Sequence, residues 1–137
     1  MVQVIMGLKG SGKTKKLVEH VKQALEEDRG NVVVLEQDKN LTHQIPYTAR
    51  LIHATDYGFG NVEFFKGFIS GLYAGNYDII HVFIDNFFRM FHEIDFDTAA
   101  EFFLWLEAFS EKEKVSFTIS ATADVSAVGE NIKKYLI

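Results

Sequence analysis

Apolar residues follow two alternating patterns along the chain. Short apolar-rich runs predict strands, and they occupy residues 2–6, 31–37, 78–85 and 115–122. Between them, apolar residues recur at the spacing of amphipathic helices, over residues 13–28, 61–74 and 97–112. The other segments are predicted as a surface loop at 38–47, a short strand at 50–55, an aromatic connection at 87–94, a weak helix at 124–134 and a final strand or packed tail at 135–137.

Strands that alternate with helices throughout predict an α/β fold, a three-layer sandwich with a mainly parallel sheet and right-handed crossovers. The runs at 31–37 and 78–85 are nearly continuously apolar, as in strands buried on both faces. A length of 137 residues suits one core, so we expect a single domain over residues 1–137. Gly30 is expected to end the first helix in the left-handed conformation, since glycine adopts it at little cost.

Composition narrows the classes of function. The chain has no Cys, which excludes disulfides, thiolate metal sites and thiol redox chemistry. Lys and Arg number 14 against 19 Asp and Glu, and this net charge of -5 disfavours a broad surface for nucleic acid or anionic membrane. No apolar run approaches the roughly 18 residues of a membrane helix, and the sequence after Met1 lacks a signal-peptide pattern. We therefore expect a cytoplasmic protein.

The segment Gly7–Thr14 reads Gly-Leu-Lys-Gly-Ser-Gly-Lys-Thr, which matches the Walker A pattern between a predicted strand and a predicted helix. Backbone N–H groups at such a helix N-terminus bind phosphate, and glycines allow a close approach. We expect Gly7 and Gly12 to take positive φ angles, Lys13 to reach the β- and γ-phosphates and Thr14 to bind Mg²⁺. The predicted phosphate-binding set also contains Lys9, Gly10, Ser11 and Lys15; solvated surface positions are the alternative for these lysines and for Lys16.

An acidic residue ends the apolar strand at 78–85. Carboxyl ends of parallel strands meet at one edge of a sheet, so Asp85 and Lys13 are expected at the same edge, where open α/β sheets bind ligands. A carboxylate there can orient water on Mg²⁺. Asp85 is therefore predicted as the second magnesium-associated residue, the alternative being a turn or helix-capping aspartate. Asp78, at the opposite end of the strand, should have no function.

These two motifs resemble those of P-loop NTPases, in particular small single-domain bacterial ATP-binding proteins that are mostly uncharacterised. The chain is also similar to the nucleotide-binding core of thymidine kinases and to RecA-like motor domains. The resemblance implies a P-loop fold that uses ATP and Mg²⁺; the missing Asn-Lys-x-Asp pattern of GTPases favours ATP. The chain departs from those families in having no zinc cysteines, no recognisable substrate lobe, and Asn86 where a glutamate commonly follows the aspartate.

That departure bears on catalysis. Asn86 can hold the attacking water by hydrogen bonding but cannot take its proton. Glu36, Asp38 and Glu93 are substitute candidates for the base, although a surface carboxylate is the favoured interpretation of each. Thr122 is predicted either to sense the γ-phosphate or to be a plain polar strand end, and it favours the RecA-like strand order in which another strand separates the Asp85 strand from the P-loop strand.

The remaining charged and imidazole side chains are weaker candidates. Arg50 and Arg89 could stabilise phosphoryl transfer, but a solvated arginine is the favoured interpretation of both. The five histidines show no metal-ligand spacing, and His81 is expected to be an interior histidine with a satisfied hydrogen bond.

Apolar residues are unusually dense after Asp85 and in the helix that follows. Residues 87–91 and 102–109 form either buried core or an exposed surface for a homodimer or another protein partner.

The leading hypothesis is an ATP-binding protein with slow or partner-stimulated Mg²⁺-dependent hydrolysis, with Lys13, Asp85, Asn86 and Thr122 as catalytic candidates. The alternatives are a kinase for a small nucleoside-type molecule and a non-catalytic, nucleotide-dependent interaction module.

Overall fold

The computed structural model describes all 137 residues. Nine helices and strands follow one another in the chain: β1 (Val2–Gly7), α1 (Lys13–Glu27), β2 (Asn31–Glu36), β3 (Arg50–His53), α2 (Val62–Ala74), β4 (Ile79–Asp85), α3 (Phe96–Glu113), β5 (Ser116–Thr122) and α4 (Glu130–Lys133). Short 3₁₀ turns follow β3, β4 and β5. These elements agree with the segments that the apolar pattern predicts.

The five strands form one sheet in the order β1-β5-β4-β2-β3, and every neighbouring pair is parallel. β5 therefore separates β4, which ends at Asp85, from β1, which enters the glycine-rich loop. This is the RecA-like order expected from the polar end of β5, and it places the carboxyl ends of all five strands along one edge.

Helices cover both faces of the sheet, which confirms the three-layer α/β prediction. One face packs Leu17, Val18 and Val21 of α1 and part of the loop after β2 against the sheet. The other face buries α2, α3 and α4 in a larger, aromatic-rich core. The chain end is a packed tail rather than a strand, since it makes one parallel bridge, between Leu136 and Val4. None of the helices is both long and apolar enough to span a bilayer.

The end of α1 corrects one prediction. Asp28, not Gly30, takes the left-handed conformation, with φ 48°. Gly30 is needed for space instead, because a Cβ there would lie 2.5 Å from the carbonyl oxygen of Asp78. The glycine thus lets the start of β2 pass close to the start of β4.

The aromatic run after Asp85 belongs to the core. Phe87, Met90 and Phe91 are at most 7% exposed, and Phe87 stacks on Phe102 of α3 with the ring centroids 5.4 Å apart. These three side chains therefore follow the buried-core alternative rather than the partner-surface alternative. In the 102–109 segment, Leu104 remains exposed on the outer face of α3. A homodimer or protein partner stays a prediction.

Candidate functional site

The loop between β1 and α1 is shaped by its glycines. Gly10 and Gly12 both have φ 85°, in the left-handed region that glycine reaches without strain. Gly7 does not have the positive φ that we expected. Its requirement is steric, because a Cβ on Gly7 would lie 2.5 Å from the hydroxyl of Ser11. The absence of a Cβ on Gly7 thus leaves room for the side chain of Ser11 at the start of the loop.

The loop presents unpaired donors at the start of α1. No backbone N–H group from Gly12 to Lys15 donates a hydrogen bond within the protein. Gly12 is the N-cap, no side chain caps the helix, and its first turn has no acidic residue. The ammonium group of Lys13 folds back over the loop and donates to the carbonyl oxygen of Leu8 at 3.0 Å. Free amides, the positive end of the helix dipole and one ammonium group together suit an anion.

These donors open into a pocket of about 640 Å³ at the carboxyl edge of the sheet. Four cationic side chains and one carboxylate contribute to its wall, and no hydrophobic residue does. The lining residues are Lys9, Gly10, Gly12, Lys13, Thr14, Lys15, Asp38, Asn40, Asn86, Arg89 and Thr122. Most of the predicted phosphate-binding residues and three of the four catalytic candidates, Lys13, Asn86 and Thr122, are therefore brought together here, whereas Lys16 and Asp85 do not line the pocket.

Asp85 lies at the end of β4, in the middle of the sheet, and is only 4% exposed. Its Oδ1 atom accepts a hydrogen bond of 2.6 Å from the hydroxyl of Ser120 on β5. The same hydroxyl accepts a bond of 2.9 Å from the backbone N–H of Asn86. Burial raises the pKa of Asp85, and the charge of Asp38 adds to this. The hydrogen bond from Ser120, the charge of Lys13 and the backbone N–H of Asn86 lower the pKa and so oppose the rise.

Ser120 is a site residue whose role the sequence did not reveal. It is 1% exposed and holds both Asp85 and the residue after it. The polar end of β5 was the available signal, but it directed attention to Thr122. Thr122 is exposed and lines the pocket, two residues further along.

Asn86 has a backbone reason for its identity. Its φ of 55° and ψ of 55° place it in the left-handed region, which asparagine tolerates better than other residues with a Cβ. A glutamate at this position would be strained. The left-handed backbone conformation after β4 therefore favours an asparagine over a glutamate at the position after Asp85.

Glu36 is a buried carboxylate, not the surface residue that we favoured. It ends β2 directly opposite Asp85 and is 1% exposed. Its Oε2 atom accepts a hydrogen bond of 2.9 Å from the backbone N–H of Leu41. Its Oε1 atom lies 3.0 Å from Nδ1 of His53 on β3, although the two groups are not aligned for a hydrogen bond. Burial raises the pKa of Glu36, the backbone N–H of Leu41 and the nearby His53 oppose this, and the charge of Asp85 adds to the rise.

The other charged candidates divide between the pocket and remote positions. Arg89 and Asp38 form an ion pair of 3.0 Å and both line the pocket. Arg50 lies at the amino end of β3 and does not line the pocket. Glu93 is exposed and also lies outside the pocket.

His81 is the interior histidine that the sequence predicts. Its Nε2 atom lies 2.8 Å from the hydroxyl of Thr118, and burial lowers its pKa to about 4. The ring is therefore neutral in the folded chain near neutral pH.

The residues present are compatible with Mg²⁺ bound together with a polyphosphate. No group of three or more His, Asp or Glu side chains could hold a metal by itself. Mg²⁺ in phosphate sites usually takes only one or two protein ligands and keeps waters and phosphate oxygens for the rest. Thr14 in the pocket wall and Asp85 at the adjoining strand end form a donor set of that kind.

Comparisons with known proteins establish the fold alone. No protein-family model and no curated protein matches the chain. The flagellar accessory protein FlaH from Methanocaldococcus jannaschii has a similar structure, with a TM-score of 0.58 and 13% sequence identity. The match covers 97% of this chain and 65% of the FlaH chain, so the chain spans just under two thirds of that protein. With its all-parallel sheet, the chain has a RecA-like α/β fold.

Proposed function

We propose that this chain binds ATP with Mg²⁺ on the loop Gly7–Thr14 and hydrolyses the β–γ bond, slowly or when a partner stimulates it. The observation that carries the proposal is the set of unpaired amides from Gly12 to Lys15, which faces a cationic pocket next to the buried Asp85. We place this activity in the cytoplasm, as the sequence suggests.

The phosphate chain would be held by the loop amides, with Lys13 neutralising charge on the β- and γ-phosphates. Thr14 and Asp85 would hold Mg²⁺ and its waters, and the bound ion would neutralise charge on the phosphate oxygens. Lys9 and Lys15 raise the positive potential of the same pocket. Thr122, which is exposed in the pocket wall, would donate a hydrogen bond to a bound phosphate.

Proton transfer from the attacking water needs a base, and Glu36 is the candidate with the best support. It lies one strand from Asp85, and one of its carboxylate oxygens has no aligned hydrogen-bond donor. A raised pKa brings a carboxylate closer to the range in which a general base works at neutral pH. Asn86, in the pocket wall, would hold the water by its amide.

Phosphate release from ATP with Mg²⁺ tests this proposal. Lys13→Ala, Asp85→Ala and Glu36→Gln should each lower the rate at least about tenfold, because each removes a charge that acts on the reacting groups. Asp78→Asn is the matched control, since Asp78 lies at the other end of β4, and it should keep the wild-type rate. Equal rates for all the variants would contradict the proposed roles.

A second cavity favours the kinase as an alternative function. It measures about 360 Å³ and adjoins the first pocket at Arg89, which lines both. Its wall includes Gly58, Phe59 and Gly60, in the loop before α2, together with Gln37, Thr55 and His92. ADP production that depends on an added nucleoside would support the kinase over the hydrolase.

The third alternative is a nucleotide-dependent interaction module without catalysis. Asn86 favours it, because an amide cannot take a proton. Thermal stabilisation by ATP with Mg²⁺, in the absence of any phosphate release, would identify this function.

A further inference from the structure

The phosphate pocket contains an ion pair between two of its own walls. A nitrogen of Arg89 lies 3.0 Å from a carboxylate oxygen of Asp38, and Asp38 is the one acidic residue that lines the pocket. The Arg89 side chain is 65% exposed and the Asp38 side chain 33% exposed. The pair is therefore open to an incoming ligand.

Arg89 reaches the pocket from a well-anchored turn. It belongs to the 3₁₀ turn Phe87–Met90, in which Phe87 is 0% and Met90 3% exposed. Its backbone N–H donates to the carbonyl oxygen of Asn86 at 3.0 Å. The turn continues directly from Asp85, so the guanidinium enters the pocket from the side where Mg²⁺ and the terminal phosphate would lie.

Asp38 lies in a loop rather than in an anchored turn, and its negative charge repels an incoming anion. It lies two residues beyond the end of β2, in the loop that leads to β3. An exposed ion pair contributes little stability, whereas the guanidinium of an arginine binds phosphate with paired, charge-assisted hydrogen bonds. Because the exposed pair is weak, a polyphosphate held on the loop can replace Asp38 as the partner of Arg89.

We propose that Arg89 binds the terminal phosphate of a nucleoside triphosphate held in the same chain, and that Asp38 occupies Arg89 until that phosphate displaces it. The inference rests on the proposed function and adds a specificity to it. A diphosphate, which lacks the terminal group, leaves the Arg89–Asp38 pair in place. Arg89 thus distinguishes triphosphate from diphosphate.

Calorimetric titration of ATP and of ADP, each with Mg²⁺, tests the inference on three single variants. Arg89→Ala should weaken ATP binding about tenfold, the loss expected for one charge-assisted contact, and change ADP binding less than about twofold. Asp38→Asn should strengthen ATP binding about threefold and ADP binding by less, because both nucleotides lose a repelling charge but only the triphosphate also competes with the carboxylate for Arg89. Arg50→Ala is the matched control, since it removes the same charge from the opposite edge of the sheet, and both affinities should stay at the wild-type level.

The ratio of the two affinities decides the outcome. Arg89→Lys, which keeps the charge but not the paired geometry, should recover part of the ATP affinity. An equal loss of ATP and ADP affinity in Arg89→Ala, or no loss, would overturn the inference while leaving the proposed function intact if Lys13→Ala still abolishes binding. Failure of the wild type to bind either nucleotide would overturn both.

Discussion

The hydroxyl of Ser120 donates a hydrogen bond of 2.6 Å to the carboxylate of Asp85, from the neighbouring strand of the sheet. β5 lies between β1, which enters the glycine-rich loop, and β4, which ends at Asp85. The bond therefore connects the end of β4 to the strand next to the loop. The RecA-like strand order thereby gives the buried acid its partner.

Ser120→Ala tests the importance of this contact. The variant leaves a buried carboxylate without its hydroxyl donor, so the free energy of unfolding should fall by about 1–3 kcal/mol. Urea unfolding of the nucleotide-free chain measures the change. Ser116→Ala is the control on the same strand, since the Ser116 side chain makes no hydrogen bond, and it should be close to the wild type. Equal effects of the two substitutions would show that the Ser120–Asp85 bond contributes nothing specific.

Asp85→Asn should make the nucleotide-free chain more stable at neutral pH. The pKa of Asp85 is raised by burial, so the ionised carboxylate is less favourable in the folded than in the unfolded chain. The stability that the neutral form contributes is lost as pH rises through the raised pKa. Melting temperatures of wild type and variant should therefore differ most at about pH 7 and converge below about pH 3, where the carboxyl is protonated in both the folded and the unfolded chain.

The same substitution should reduce stabilisation by ATP with Mg²⁺, since an amide is a poorer ligand for Mg²⁺ and its waters. An Asp85→Asn chain that melts below the wild type at neutral pH would contradict the account of a carboxylate retained at a cost in stability for function.

Two substitutions of Asn86 distinguish the role of its backbone conformation from the role of its side chain. Asn86→Ala should lower the free energy of unfolding by about 1–2 kcal/mol, because alanine is strained in the left-handed conformation, whereas Asn86→Gly should not. Phosphate release should fall in both variants if the Asn86 amide holds the attacking water. A glycine variant that is stable and fully active would restrict Asn86 to its backbone role.

The polar pocket wall predicts that the phosphates supply most of the binding energy. No hydrophobic residue lines the pocket, so the chain offers no hydrophobic side chain there for a base to pack against. Inorganic tripolyphosphate with Mg²⁺ should displace bound ATP with an affinity within about tenfold of that of ATP itself. Competition titrations with a fluorescent ATP analogue measure this. A much weaker tripolyphosphate would mean that the nucleoside is also recognised.

The parts of the fold and site that were visible in the sequence are those set by local patterns. Gly7–Thr14 carries the phosphate-binding loop in eight consecutive residues, and a continuous apolar run leads directly to Asp85. Both the alternation of elements and the strand order agree with the structure. Local spacing is sufficient for the loop and the strand because a βα turn and a buried strand are each built by one segment, whereas the strand order was inferred from the polar end of β5 and not from spacing.

The parts that were missed depend on contacts between distant segments. Glu36 looks like any strand-end carboxylate in the sequence, and only pairing with β3 and β4 shows that it is buried. Ser120 rather than Thr122 meets Asp85 because of the register between β4 and β5. Phe87 and Phe91 could have formed a surface patch, but α2 and α3 cover them. Asp28, rather than Gly30, takes the left-handed conformation after the first helix. Gly30 is needed instead for space, where the chain passes the carbonyl oxygen of Asp78.

Backbone amide chemical shifts, followed by NMR while ATP and Mg²⁺ are added, test the central claim most directly. We expect the amides of Gly12, Lys13, Thr14 and Lys15 to show the largest saturable shifts, because they gain phosphate as their hydrogen-bond partner. Lys13→Ala should require much higher ATP concentrations for the same shifts. Saturable binding that leaves these four amides unmoved, or no saturable shift anywhere in the chain, would contradict this claim.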